Sequence, residues 1–76
     1  MATSAKSELK RSLSIQGHRT SLSLEPEFWA ALKQAASAEQ KSLAALVAEI
    51  DAARAGRNLS SAIRVWILSR TLHGRI

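Results

Sequence analysis

Polar and apolar residues alternate strictly from Arg19 to Leu24. Thr20, Leu22 and Leu24 share one face, and Arg19, Ser21 and Ser23 share the other, the period of a half-buried strand. After Pro26 the period changes to that of a helix. Phe28, Leu32, Ala35 and Ala36 make an apolar stripe with Trp29 and Ala31 at its margins, so a first helix is predicted from Pro26 to Ala38 or Glu39. Proline suits the first helical turn, and Glu25 and Glu27 suit its positive dipole end. Gln40-Lys41 reads as a tight turn, and Ser42 as the N-cap of a second helix whose Leu43, Leu46, Val47, Ile50 and Ala53 keep to one face. Arg54 and Gly56 mark its end. Asn58 caps a third helix from Leu59 to about Leu72, greasy on two sides: Ile63, Trp66 and Ile67 with Arg70 on one, Val65, Leu68 and Leu72 on the other. A helix buried on two sides in so short a chain implies another subunit. Its Ile, Val and Trp would also suit a short strand.

An isolated strand leaves a row of backbone groups unpaired, so Arg19–Leu24 needs a partner. Two are open. One is the same strand of a second copy, antiparallel across a two-fold axis, with residues 1–11 a mobile basic arm. The other is Ser12-Leu13-Ser14-Ile15-Gln16, joined by a type II′ turn at Gly17-His18. That turn would set Leu13 opposite Leu22, Ser14 opposite Ser21 and Ile15 opposite Thr20. The expected organisation is therefore residues 1–18 as basic arm or extra strand, 19–72 as the folded domain, and 73–76 as a tail.

Length makes the need for a partner sharper. A chain of 76 residues buries a limited core, and with no cysteine it has neither disulfides nor thiolate metal sites to support it. Charge then suggests what the assembly touches. The net charge of +5 and pI near 10.9 favour a polyanion, nucleic acid before membrane, although such a charge also simply keeps a domain soluble. No apolar run spans a bilayer and no signal-peptide core follows Met1, so a cytoplasmic protein is expected. Three aromatic residues are too few for stacking on single strands.

The order of alternating strand, Glu-Pro, helix, tight turn with Ser42 and second helix resembles the ribbon-helix-helix superfamily of dimeric DNA-binding proteins. The likeness runs from Arg19 to about Arg54. Gly17-His18-Arg19-Thr20-Ser21-Leu22-Ser23-Leu24-Glu25-Pro26-Glu27-Phe28-Trp29, with Ala48-Glu49-Ile50-Asp51 and Asn58-Leu59-Ser60-Ser61-Ala62, is similar to a branch of small bacterial members. The resemblance implies a mostly α fold with a short N-terminal strand, an intertwined homodimer, and an added C-terminal helix beyond the minimal pattern. It implies that Arg19, Ser21 and Ser23 contact bases in the major groove. Ser42 and the amides of Leu43 and Ala44 would hold a phosphate, a role that the dipole and orphan amides of a helix N-terminus independently favour. Lys41, Lys10 and Arg11 would join them on the backbone. The shared dimer core would hold Leu22, Leu24, Phe28, Leu32, Leu46, Val47, Ile50 and Trp66. Two of three outward strand positions are serine, which is short and reads bases permissively.

Two rival functions remain in view. A helix-turn-helix reading would make the third helix the recognition helix, but its apolar centre has no polar face for a groove. A protein-binding, antitoxin-like module follows if residues 12–16 pair within the chain, because a dimer would then carry a four-stranded sheet too wide for the major groove. His18 and His73 have no acid or cysteine at ligand spacing, and Glu49 and Asp51 point to different helix faces. No phosphate loop and no activated nucleophile is present. The expectation is a non-enzymatic homodimer that binds duplex DNA, or a toxin-like protein partner, with no metal, cofactor or membrane involved.

Overall fold

The computed structural model describes residues 8–74. Its elements in order are β1 (Leu9–Ile15), β2 (His18–Leu24), α1 (Pro26–Ala38), α2 (Leu43–Ala52) and α3 (Leu59–Gly74). The two strands form an antiparallel hairpin laid on three helices. β1 packs against α2, β2 against α1 and α3, and each helix touches the other two.

The strand that needed a partner finds it within its own chain. Leu9 pairs with Leu24, Arg11 with Leu22, Leu13 with Thr20 and Ile15 with His18. The mobile arm expected over residues 1–11 is therefore corrected over Leu9–Arg11, which belong to β1; Lys6 and the rest of residues 1–7 lie outside the described residues. The turn is also corrected. It is Gln16-Gly17, not Gly17-His18, and both residues have positive φ, 51° and 85°. That is the type I′ pattern, whose twist matches that of the strands it joins, and glycine occupies its second position. The register consequently moves by two residues from the expected one. Because a strand's side-chain period is two, no residue changes face.

α1 starts at Pro26 as its dipole and proline signals require, with Glu25 as N-cap. Its end is a Schellman motif: Lys41 N donates to Ala36 O at 2.9 Å and Gln40 N to Ser37 O at 3.0 Å. Gln40 takes the left-handed position at φ 58°, where glycine or asparagine is usual. Ser42 then caps α2, its Oγ accepting from Ala45 N at 3.0 Å. Asn58 caps α3 in the same way through Ser61 N at 2.8 Å.

The core closes within one chain. Ile15, Leu22 and Leu24 from the sheet meet Trp29, Leu32, Ala35 and Ala36 of α1, Leu46, Val47 and Ile50 of α2, and Ala62, Ile63 and Ile67 of α3. The buried stripe of α1 is therefore led by Trp29, 2% exposed, rather than by Phe28, which is half-buried. The reason is the hairpin: Trp29 lies toward β1, and its Nε1 donates to the Leu9 carbonyl at 2.9 Å. The indole buries its large face and satisfies its one donor at once. Six of the eight residues expected in a shared dimer core are buried by their own chain, and Phe28 and Trp66 pack partly buried against them. The second greasy side of α3 stays in solvent: Val65 is 40% exposed, Leu68 56% and Leu72 63%.

Candidate nucleic-acid interface

The hairpin has one apolar face on the helices and one polar face turned away. Register places Lys10 beside Ser23, Ser12 beside Ser21 and Ser14 beside Arg19 on that outer face. The result is a two-stranded ribbon with a cation near each end, on opposite strands, four serines between them and no acid. Neither Lys10 nor Arg19 makes an ion pair among the described residues, and of the six only Ser23 is partly buried. Serine side chains leave the ribbon low, so a groove wall or floor can come close to its backbone.

Arg11 was expected beside Lys10 on a phosphate, but the strand alternation turns the two apart. Arg11 shares the inner-face register of Leu22, and its guanidinium lies 5.1 Å from the Trp29 ring centroid. It covers the edge of the core as a cation–π lid. Lys41 is also engaged. It pairs with Glu49 at 2.6 Å and Glu39 at 3.1 Å, and these partners hold its ammonium pKa above the usual lysine range, Glu49 most. Arg70 reaches the same Glu39 at 2.6 Å. Lys41 first and then Arg70 hold the Glu39 carboxyl below the usual carboxylate range. This network ties the α1–α2 turn to α3.

At the α2 N-terminus, Ser42 Oγ is committed to Ala45 N, and the amides of Leu43 and Ala44 remain beyond it. Arg64 is likewise taken: it bonds Glu25 and Glu8, each at 3.0 Å, and stacks 5.8 Å from the Phe28 centroid. A backbone hydrogen bond at Glu25 itself, then the bond from Arg64, lower the Glu25 pKa. Of the basic side chains expected on DNA, Lys10 and Arg19 lie on the hairpin's outer face without an ion pair among the described residues, while Arg11 stacks on Trp29 and Lys41 is paired with Glu39 and Glu49. Ser12 and Ser14 join the face without having been singled out as contacts. Their alternation with Leu13 and Ile15 was the signal that could have found them.

A family model for the ribbon-helix-helix domain matches residues 8–71, which takes in the hairpin and nearly all of α3. The chain belongs to the ribbon-helix-helix family. Its domains are generally DNA-binding or antitoxin-like, and they form dimers. No curated protein and no solved structure matches the chain. Among the described residues of this ribbon-helix-helix domain, no helix is long and apolar enough to cross a membrane, and no three His, Asp or Glu side chains gather as a metal site.

Proposed function

We propose that this ribbon-helix-helix domain binds double-stranded DNA as a homodimer, through the outer face of the β1–β2 hairpin, and so acts in transcriptional regulation. One observation carries the reading: the outer face holds Lys10, Ser12, Ser14, Arg19, Ser21 and Ser23, with no acid and with two cations that make no ion pair among the described residues. A two-stranded ribbon is of the width that the major groove admits. Arg19 carries the one planar, forked donor on the face and is the candidate reader of guanine. Ser21 and Ser23 bond to several base edges, so readout is semi-specific. Lys10 sits at the base of the ribbon, where a phosphate would flank the groove, and the Leu43 and Ala44 amides offer a second phosphate anchor beside Ser42.

The test is fluorescence anisotropy with a pool of short duplexes, from low to physiological salt. The wild type should lose affinity as salt rises, and Lys10→Ala with Arg19→Ala should flatten that slope by about one for each phosphate contact removed. Arg19→Ala alone should reduce discrimination between duplexes by roughly 1–3 kcal/mol at a guanine position. Binding that is indifferent to salt and to both substitutions would sink the reading.

The intrachain hairpin favours a second reading. Two copies joined along the β2 edge would make a four-stranded sheet that no major groove accepts, and the domain would then be a protein-binding, antitoxin-like module. A wild type that binds no duplex at low salt yet forms a stable complex with a partner protein would establish it.

A further inference from the structure

Between the C-terminal half of α2 and the middle of α3 lies a cavity of about 410 Å³ that reaches the turn joining the two helices. Its floor is Ile50 and Ala62, both buried, and half-buried Trp66 makes one wall. The indole is braced from outside the cavity: the Arg70 guanidinium lies 5.6 Å from its centroid and is itself held by Glu39 at 2.6 Å.

The polar groups around this apolar floor favour one sign of charge. Glu49 lines the cavity, but Lys41 binds its carboxylate at 2.6 Å. Arg54 lines it too, with Nε on Asp51 at 2.6 Å and Nη1 on the Arg57 carbonyl at 2.9 Å. Arg57, the third charged residue of the lining, makes no ion pair among the described residues. Beside it the chain turns through Ala55 and Gly56, both at positive φ, 53° and 89°. The hydrogen bonds of this turn use the amides of Ala53, Arg54 and Arg57, and leave those of Ala55 and Gly56 without a backbone acceptor among the described residues. A forked cation and two successive open amides make a concave site for an anion.

We propose that this cavity binds a small planar aromatic carboxylate, its rings against Trp66 and the apolar floor and its carboxylate on Arg57 and the turn amides. The volume is that of a small-molecule site, which is mostly apolar with a few convergent polar groups. A neutral apolar ligand would cover Arg57 and the amides without satisfying them. A cation would meet no available acid, and a nucleic acid, which binds through several phosphates, would meet only one unpaired side chain. No hairpin residue takes part, so the site holds whether or not the hairpin binds DNA.

The test is a titration of the full chain, followed by its backbone amide and indole NMR shifts, with 2-naphthoate, with neutral 2-naphthamide and with inorganic phosphate. At low millimolar concentration or below, 2-naphthoate should move Ala53, Ala55, Gly56, Ala62 and the Trp66 indole. The amide should bind at least roughly tenfold more weakly. Arg57→Gln should abolish that difference without changing the urea midpoint, since Arg57 is exposed and outside the core. Ala53→Leu, which fills the cavity from an exposed position, should abolish binding with the helical circular dichroism unchanged. Arg19→Ala, decisive for the DNA reading, should have no effect. Equal binding of acid and amide, or acid binding indifferent to Arg57→Gln, would overturn the anion site. Phosphate binding as tightly as 2-naphthoate would make it an adventitious ion site only. No binding at all, or shifts centred on Leu68 and Thr71, would overturn the cavity assignment.

Discussion

Trp29 joins the hairpin to the helices. It is buried, donates its one indole N–H to the Leu9 carbonyl, and lies under the Arg11 guanidinium. Trp29→Ala should therefore cost about 3–5 kcal/mol in urea unfolding, the range for emptying a large aromatic site. Arg11→Ala should cost only about 0.5–1 kcal/mol, the worth of an exposed cation–π contact, and should leave DNA affinity nearly intact if Arg11 is structural. Leu22→Ala belongs to the first class, about 2–5 kcal/mol, because Leu22 is sealed between the sheet and the helices. At this scale the alternation of Arg19, Ser21 and Ser23 was legible without coordinates. The exchange of Phe28 for Trp29 as leader of the α1 stripe was not. The two residues are neighbours on the helix, and which one faces inward depends on where the hairpin lies across it.

The elements are held at their ends by local chemistry. Gln40 in the Schellman turn and Ala55 before Gly56 both have positive φ, 58° and 53°. A side chain there costs roughly 1–2 kcal/mol, against about 0.5–1 kcal/mol of extra chain entropy lost on ordering glycine instead. Gln40→Gly and Ala55→Gly should each stabilise the fold by up to about 1 kcal/mol, read as a rise in the urea midpoint at constant slope. Gly17→Val should do the reverse. Open space surrounds a side chain at Gly17, so its φ of 85° alone would be responsible for the loss. The two candidate partners for β2 were both visible in sequence. The type I′ turn chose between them locally, and it did so with a residue, Gln16, that carries little turn signal of its own.

At the scale of the molecule, hairpin and helices stand or fall together. Deleting residues 1–15 would remove Leu13 and Ile15 from the core edge, strip Trp29 of its acceptor, and bare the β2 edge. Such a truncation should unfold at lower urea and aggregate, where a free arm could be removed with little effect on stability. Charge sets the pH limits. Glu25 and Glu39 have folded pKa values below the ordinary 4.5, so the folded state binds fewer protons than the unfolded one there. Their contribution is complete above that ordinary value and is lost as pH falls through the lowered ones. Lys41 is displaced upward from 10.5, so its contribution is complete below that value and is lost as pH rises through the raised one. Stability should be flat between these limits and fall at both ends. Glu39→Gln should soften the acid limb and Lys41→Met the alkaline one. All these groups remain partly open to solvent, so the changes should be small and reduced by salt.

What the amino-acid order determined by itself is local: the strand period from Arg19, the helix start at Pro26, the caps at Ser42 and Asn58, and the two apolar sides of α3. Each follows from a preference that a residue expresses within a turn or two of backbone. Only the tertiary structure decided which surfaces meet. It paired β2 with Leu9–Ile15, turned Lys10 outward and Arg11 inward, and closed the core with the Ile63–Ile67 side of α3 while leaving Val65, Leu68 and Leu72 exposed. Periodicity can count the apolar faces of a helix. It cannot rank them, because burial depends on how far the neighbouring elements reach, and here they reach Ala62, Ile63 and Ile67 but not Val65, Leu68 and Leu72.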